Sequence, residues 1–245
     1  MVGIDLDNEM KNEKWISLFS GGKDSSWSLY QALENRLDVE FLVTVHPPQG
    51  SYMYHFPATR VVPLAAESIG IELIEIEPKF KIDKNINSSK QGDLETKFIE
   101  TEIEKISKKI ELAGVIVGAV ESEYQASRVQ NICDKLDIEL YAPLWKVDPI
   151  ISIKNMVKSG FEMIIVGVAA MGFDESWLGR HIDMETISDL EILNEKYGVH
   201  VMGEGGEYET IVTNGPHMNL EIKMEYETVW DINSGEIKVK DAWLI

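Results

Sequence analysis

The chain has 245 residues, of which 44% are hydrophobic and 27% are charged, a composition typical of a globular protein with a substantial core. Its formal net charge of −19, with no cluster of lysines and arginines, argues against non-specific binding of nucleic acids, because that binding depends on cationic contacts to phosphates. The single cysteine, Cys133, excludes an intramolecular disulfide and a paired-cysteine metal or redox site, and its apolar helical neighbours predict a buried core residue.

Neither a signal peptide nor a membrane segment is expected. Residues Met1 to Lys14 are polar and acidic and lack the apolar core of a signal peptide. The longest apolar stretch, Met163 to Phe173, is shorter than the ~20 residues that a membrane span needs. We therefore expect a cytoplasmic protein.

Strands and helices are predicted to alternate through the first half of the chain. The predicted strands are Trp15–Phe19, Glu40–His46, Ile71–Ile76, Gly114–Val120 and Glu139–Ala142. The predicted helices begin at Asp24, Thr59, Asp93 and Ser122, with a loop at Pro78–Gly92 and an isoleucine stripe at Ile99, Ile103, Ile106 and Ile110. Near-continuous apolar strands between helices indicate a parallel sheet covered on both faces. We expect a doubly wound five-stranded parallel α/β sheet, with its ligand beyond the carboxyl ends of the strands.

The alternation of strands and helices changes at Trp145–Pro149, which predicts a domain boundary that divides the chain into residues 1–145 and 146–245. Beyond it we predict helices at Ile150–Ser159 and Glu185–Tyr197, strands at Glu162–Val168, Tyr208–Thr213, Leu220–Trp230 and Glu236–Trp243, and a turn at Asn233–Gly235. This pattern indicates a second, smaller α+β domain.

A glycine turn joins the first predicted strand to the first helix in the stretch Ser20-Gly-Gly-Lys-Asp-Ser25. Glycines let the backbone approach a ligand closely, and the unpaired N–H groups at a helix start attract anions, phosphate above all. The spacing does not fit a Walker loop, because Ser17 stands where the first glycine is needed and Asp24 follows Lys23. The hexapeptide resembles the pyrophosphate loop (PP-loop) of the N-type ATP pyrophosphatases, which implies cleavage of ATP between its α and β phosphates. A tight turn without a ligand is the alternative that the residues leave open.

A second unusual stretch, Gly203-Glu-Gly-Gly-Glu-Tyr-Glu-Thr210, combines three glycines with three glutamates. Glycines indicate unusual backbone angles or the close approach of another group, and clustered carboxylates need cations or hydrogen-bond donors nearby. Ordered carboxylates of this kind suit a cationic substrate, ammonium or a metal ion. A plain acidic loop is the other interpretation.

Several short motifs together resemble the diphthine–ammonia ligase family, a branch of the N-type ATP pyrophosphatases. They occur in the family's order, at Ser20–Ser25, Ser51–His55, Glu123–Val129, Ala142–Trp145, Trp177–Arg180 and Gly203–Thr210. The resemblance runs along nearly the whole chain and is greatest to the short, archaeal-type branch. The sequence departs from many members at Phe56-Pro57, where they have Thr-Pro, and we expect none of the extra C-terminal domains that larger relatives carry.

The resemblance implies a first domain of the adenine nucleotide α-hydrolase-like type that binds ATP and Mg²⁺, and a second domain that helps form the substrate pocket. The implied reaction is the last step of diphthamide synthesis on translation elongation factor 2. In that AMP-forming ligation, the diphthine carboxylate becomes an acyl-adenylate, and ammonia then converts it to the amide.

Site residues are expected on two sides. The nucleotide side comprises Ser20, Gly21, Gly22, Lys23, Asp24 and Ser25, joined by His46 and Gly118 because these lie near the carboxyl edge of the predicted sheet. Lys23 and Asp24 are the expected catalytic residues, and Asp24 is the expected magnesium ligand. The substrate side comprises Tyr124, Arg128, Arg180, Glu204, Gly205, Gly206, Glu207, Tyr208 and Glu209. Carboxylates and aromatic faces suit the trimethylammonium group of diphthine.

Alternatives remain for particular residues and for the function. Gly118 also suits a packing glycine, and Arg128 a surface ion pair with Glu121 or Glu123. His55 either faces the nucleotide or lies in a loop without a catalytic task. An ammonia-dependent ligase similar to NAD synthetase shares the PP-loop, and a non-enzymatic ATP-binding sensor would also have it. The source of ammonia and the oligomeric state, including a homo-oligomer, stay open.

Overall fold

The computed structural model describes residues 13–46, 61–77, 88–121 and 123–245, and describes no side chains for residues 88–95 and 123–126. Its first sheet consists of β1 (Lys14–Leu18), β2 (Asp38–Val45), β3 (Glu72–Ile76), β4 (Leu112–Ile116) and β5 (Glu139–Tyr141). All neighbouring strands are parallel, in the order β3-β2-β1-β4-β5. The predicted doubly wound sheet is confirmed. Its direction of winding reverses between β1 and β4, the place where such sheets bind ligands.

In the described part of the chain, four helices accompany this sheet, namely α1 (Lys23–Glu34), α2 (Val61–Ile69), α3 (Ser88–Ser107) and α4 (Glu123–Leu136). The stripe of α3 packs with α4 in one hydrophobic core, in which Ile103, Ile106 and Cys133 are buried. Burial raises the pKa of the Cys133 thiol to about 11, which makes it an inert core residue as predicted. α1 and α2 contribute to a second core.

Two predicted boundaries in this half are wrong. α3 begins at Ser88, so the part of the predicted loop from residue 88 to 92 is helical, whereas residues 78–87 lie outside the described part. Apolar periodicity marks only the turns of a helix that pack on a core, and polar first turns escape it. β4 ends at Ile116, so Gly118 follows the strand instead of lying in it. Val117 and Val120 are buried without continuing the strand, which explains their apolar character.

The second part of the chain forms a four-stranded antiparallel sheet with the strand order β7-β6-β9-β8. Its elements are α5 (Pro149–Lys158), β6 (Glu162–Val168), a 3-10 turn (Glu175–Trp177), α6 (Met184–Tyr197), β7 (Tyr208–Asn214), β8 (Ile222–Asp231) and β9 (Ser234–Leu244). The carboxylates of Asp148 and Asp183 cap the two helices by accepting from the N–H groups of Ile151 and Thr186. The predicted α+β character is confirmed.

The β8–β9 turn differs from the prediction. The turn lies at Ile232 and Asn233, and β9 already begins at Ser234. Gly235 belongs to the strand. A glycine is needed there because a Cβ would lie 2.4 Å from the indole of Trp230. The glycine makes room for a ring, and the Asn-Ser-Gly composition therefore indicates a turn that begins one residue too late and ends two residues too late.

The antiparallel sheet and the helices α1 and α2 share one hydrophobic core, which includes Leu29, Val62 and Val212. Polar contacts add to it: the Ser68 hydroxyl donates to the carbonyl of Leu220 at 2.6 Å and accepts from its N–H at 2.9 Å. Within the described ranges, no helix combines the length and apolar character needed to cross a membrane.

Candidate active site

The PP-loop follows β1 and leads directly into α1. Gly22 is the N-cap of α1 and offers no side chain to cap the first N–H groups. Gly21 has a φ of +76°, a conformation that favours glycine. The hydroxyls of Ser20 and Ser25 lie 3.1 Å apart, and the Ser20 N–H donates to Ser25 Oγ at 3.2 Å. These two serines therefore hold the ends of the loop together.

β7 holds the same loop from the second sheet. The Val212 N–H donates to the carbonyl of Gly21 at 2.9 Å, and the Lys23 N–H donates to Thr210 Oγ1 at 3.1 Å. A Cβ on Gly22 would approach the Thr210 carbonyl oxygen to 3.3 Å. Thr210 thus caps α1 in place of an N-cap side chain. It is missing from the site residues predicted from the sequence, although it ends the Gly203–Thr210 motif.

The side chain of Lys23 is buried, with 3% of the residue exposed. Its Nζ donates to the carbonyl of Met202 at 2.6 Å and to Asp24 Oδ2 at 2.9 Å, and it lies 5.1 Å from the ring centroid of Tyr208. Burial alone would lower the pKa of Lys23, but the Asp24 carboxylate, helped by Glu209, outweighs burial and raises that pKa. Lys23 is therefore a fixed positive charge at the junction of α1 and β7.

Aromatic rings continue from Lys23 into the second domain. Tyr208 is buried, its hydroxyl donates to the Val201 carbonyl at 2.6 Å, and burial raises the pKa of that hydroxyl. The Phe173 ring lies 6.1 Å from Tyr208 and 4.8 Å from Trp177. Arg180 lies over Trp177 at 4.8 Å and pairs with a carboxylate of α6. The structure thus connects the predicted residues Tyr208 and Arg180 through two rings that the prediction of site residues left out.

The glutamate-rich loop between α6 and β7 is closed by Glu207. One oxygen of its carboxylate accepts from the His200 N–H at 2.9 Å and the other from the Gly205 N–H at 2.8 Å. Gly203 and Gly206 have φ values of +67° and +80°, so these glycines allow the loop to turn. Glu207 therefore braces the loop, and its role toward a substrate stays a prediction.

Glu204 and Glu209 differ from Glu207 in their surroundings. Glu204 is partly buried, and Glu209 lies in β7 opposite Gly167. Partial desolvation raises the pKa of Glu209, although Lys23 acts in the opposite direction. A carboxyl group in this position would gain from a cation placed beside it. The roles of both glutamates stay predictions.

The remaining predicted residues lie at several places around the first sheet. A Cβ on Gly118 would come within 2.7 Å of the Asp24 carbonyl carbon and the Ser25 nitrogen, so this glycine allows close packing against the start of α1. His46 Nε2 lies 2.7 Å from Glu75 Oε2, at the carboxyl ends of β2 and β3. Arg128 lines a groove between α3 and α4. The Tyr124 side chain and the whole of His55 lie outside the described part.

The donors around the PP-loop fit a magnesium–nucleotide complex. Asp24 Oδ1 is buried and has no hydrogen-bond partner among the residues described, so this oxygen is available to a cation. No group of three or more histidine, cysteine, aspartate or glutamate side chains in the described ranges could hold a metal by itself. Mg²⁺ commonly takes one or two carboxylates together with phosphate oxygens. Asp24 would hold the ion, and the N–H groups at the start of α1 other than that of Lys23, which donates to Thr210, would hold phosphates.

Comparisons with known proteins find similarity along most of the chain. The model of the diphthamide synthase N-terminal domain matches residues 13–140, and that of the C-terminal domain matches residues 148–245. A Danio rerio protein named diphthine–ammonia ligase is 35% identical over 213 residues, which are 82% of this chain and 82% of that protein. The Homo sapiens protein of the same name is 31% identical, and the match covers 83% of that protein. The chain spans only 38% of a Schizosaccharomyces pombe relative, also named diphthine–ammonia ligase, at 32% identity.

A solved chain described as a predicted subunit of tRNA methyltransferase from Methanocaldococcus jannaschii has a TM-score of 0.39 and 17% identity, covering 83% of this chain and 99% of that one. A likeness of that size supports no conclusion about function. The two family models and the ligase relatives support a conclusion about descent, because together they span both halves of the sequence. The chain belongs to the diphthine–ammonia ligase (diphthamide synthase) family, a family of ligases.

Proposed function

We propose that this chain catalyses the ATP-dependent amidation of diphthine on translation elongation factor 2, with ammonia as the nitrogen donor. The products are diphthamide, AMP and pyrophosphate. The observation that carries the proposal is the position of Lys23 at the start of α1. Its N–H donates to Thr210 in β7, and its ammonium donates to the Met202 carbonyl in the loop before β7. Thr210, the last residue of the Gly203–Thr210 motif, holds the start of α1. This contact suits an enzyme in which the PP-loop binds the nucleotide and the neighbouring motif binds the substrate.

The first step of the proposed reaction activates a carboxylate. A carboxylate oxygen of diphthine attacks the α-phosphorus of ATP, and the bond from that phosphorus to the bridging oxygen breaks to release pyrophosphate. The N–H groups at the start of α1 bind the departing phosphates, and Lys23 stabilises the negative charge that develops there. Asp24 would hold Mg²⁺, which when bound would supply positive charge to neutralise the phosphates.

The second step forms the amide. The nitrogen of ammonia attacks the carbonyl carbon of the acyl-adenylate, AMP leaves with the carboxyl oxygen, and one proton is released to solvent. A free carboxylate would not react in this way, because it is a poor electrophile with a poor leaving group. Adenylation therefore has to come before the attack by ammonia.

The substrate side is assigned to the aromatic rings and carboxylates beside β7. The trimethylammonium group of diphthine is a permanent cation, and cations of this type bind aromatic faces and carboxylates. Tyr208 offers a ring near Lys23, while Glu209 offers a carboxyl group whose pKa is raised by partial desolvation and would fall again next to a cation. Glu204 and Arg180 complete the proposed substrate side.

A reconstituted reaction tests the proposal. The purified chain is incubated with ATP, Mg²⁺, ammonium and elongation factor 2 in its diphthine form, and AMP, pyrophosphate and the added amide are measured. We expect AMP and amide in equal amounts, and neither product when ammonium or the modified factor is left out. Binding of ATP without AMP under the complete conditions would favour a sensor, and AMP formed only with nicotinate adenine dinucleotide would favour a ligase similar to NAD synthetase.

A further inference from the structure

His200 lies in the loop between α6 and β7, just before the Gly203–Thr210 motif. Its Nδ1 accepts from the N–H of Met202 at 3.2 Å and from the N–H of Glu204 at 3.4 Å. A neutral imidazole whose Nδ1 accepts must carry its proton on Nε2. That Nε2 faces Glu121 Oε2 at 3.6 Å, in the segment that follows β4.

The contacts of His200 lead directly to Lys23. Met202, whose N–H binds the His200 ring, is the residue whose carbonyl accepts from Lys23 Nζ at 2.6 Å. The backbone N–H of His200 donates to Glu207, which also accepts from Gly205 and so closes the loop. The ring and the backbone of His200 therefore both help to fix the segment that carries the Met202 carbonyl.

We propose that His200 is a positioning residue for Lys23: its Nδ1 accepts from the Met202 N–H and so helps to fix the residue whose carbonyl accepts from Lys23, while its Nε2 faces Glu121. The effect on catalysis rests on the proposed function, whereas the placement of Lys23 does not. A lysine that stabilises a transition state must be held within a fraction of an ångström, so the loss of its support lowers kcat more than it raises the KM for ATP.

Three substitutions separate the two ring nitrogens. His200→Asn keeps an acceptor bonded to Cγ, as Nδ1 is, whereas His200→Gln places its amide one bond further out, at the level of Nε2, and His200→Ala keeps neither. His181→Ala is the matched control, because His181 is an exposed histidine whose backbone carbonyl accepts from the Thr186 hydroxyl, a bond that alanine can also make. Thermal unfolding of each variant verifies that it is folded.

The first readout is the reactivity of Lys23 with an amine-modifying reagent, measured by mass spectrometry without any substrate. We expect labelling of Lys23 to rise about tenfold in His200→Ala and His200→Gln, because the loop opens locally, and to stay near the unmodified level in His200→Asn and His181→Ala. Unchanged labelling in all variants, or equal labelling in the asparagine and glutamine variants, would overturn the proposal.

The second readout is the rate of AMP formation. We expect kcat to fall about tenfold or more in His200→Ala and His200→Gln with a KM for ATP that changes little, and His200→Asn to restore most of the rate. A loss confined to KM would contradict a positioning role. If the unmodified chain forms no AMP, the proposed function fails, and the labelling experiment still decides whether His200 places Lys23.

Discussion

Lys23 Nζ and the carbonyl oxygen of Met202 are 2.6 Å apart, although the two residues are separated by 179 positions in the sequence. The contact places a side chain of the PP-loop against the loop that precedes β7. Because Lys23 is buried and charged, it requires such partners. They are Asp24 in the first predicted domain and Met202 in the second. The PP-loop is thus completed by residues of the second half of the chain.

Lys23→Met should abolish most of the activity. Methionine keeps the unbranched stem but removes the charge, and it leaves the Met202 carbonyl and the Asp24 carboxylate without their partner. We expect kcat for AMP formation to fall about a hundredfold or more, as it does when a transition-state donor is removed. The control is Lys105→Met, which removes an exposed ion pair with Glu102. AMP formation at the unmodified rate would remove Lys23 from the mechanism.

Thr210→Val tests whether β7 supports the PP-loop. Valine has the shape of threonine but cannot accept from the Lys23 N–H, so α1 loses its cap. We expect a loss of about 1 kcal/mol in the free energy of unfolding, with weaker ATP binding, measured by urea denaturation and calorimetry. Thr228→Val, in the exposed part of β8, is the matched control and should change neither. Unaltered ATP affinity in Thr210→Val would show that the cap is dispensable for the nucleotide.

Gly118→Ala should disturb the start of α1. The added methyl group would lie 2.7 Å from the Asp24 carbonyl carbon and the Ser25 nitrogen, which are backbone atoms that cannot rotate away. We expect about 1 to 3 kcal/mol of destabilisation and weaker ATP binding, measured in the same two experiments. In the control Gly167→Ala, the nearest atom would be the Glu209 Cβ at 3.4 Å, an ordinary contact. Similar effects from both substitutions would speak against a special role of Gly118.

Glu207→Gln should affect the protein substrate more than the nucleotide. A glutamine retains one acceptor oxygen, but its NH2 group would face either the His200 or the Gly205 N–H, so one of the two bonds that close the loop is lost. We expect a higher KM for the modified elongation factor and nearly unchanged ATP affinity by calorimetry. An equal loss of ATP affinity would move Glu207 to the nucleotide side.

His217 should make the stability of the protein depend on pH. Its ring stacks on Phe161 at 5.2 Å, both ring nitrogens are buried without a partner in the described ranges, and burial lowers the pKa of His217 to about 4. The unfolded chain protonates this histidine below its usual pKa of about 6.5, whereas the folded chain does so only at lower pH. The stabilisation is therefore complete above about pH 6.5 and decreases as the pH falls, by at most about 1.4 kcal/mol per pH unit.

Urea unfolding at pH 7 and pH 5 measures this dependence. His217→Leu removes the titrating group from the same apolar site, so we expect its stability to fall less than that of the unmodified protein between the two pH values. His181→Leu is the matched control and should follow the unmodified protein, because His181 is exposed. Parallel curves for the unmodified protein and His217→Leu would contradict the prediction.

Local patterns predicted the parallel sheet and the nucleotide loop. Apolar strands that alternate with helices specify the fold class, and Ser20–Ser25 contains in six residues the glycines, cation and hydroxyls that a phosphate needs. The same kind of pattern predicted Gly118 within a strand and the last turn at Asn233–Gly235, and both predictions were wrong. In each case the local composition is misleading, because the position of the glycine depends on a ring or a helix that packs against it.

The fold class, the PP-loop and the family follow from the sequence alone, because each depends on residues that are close in the chain or on motifs in a fixed order. The groups that hold Lys23 are known only from the folded chain. Thr210 and Met202 are 187 and 179 positions away from it, and one of them contributes a backbone carbonyl that every residue has. No local pattern can indicate such a partner, since the choice arises when β7 packs beside α1 and a buried charge must find acceptors.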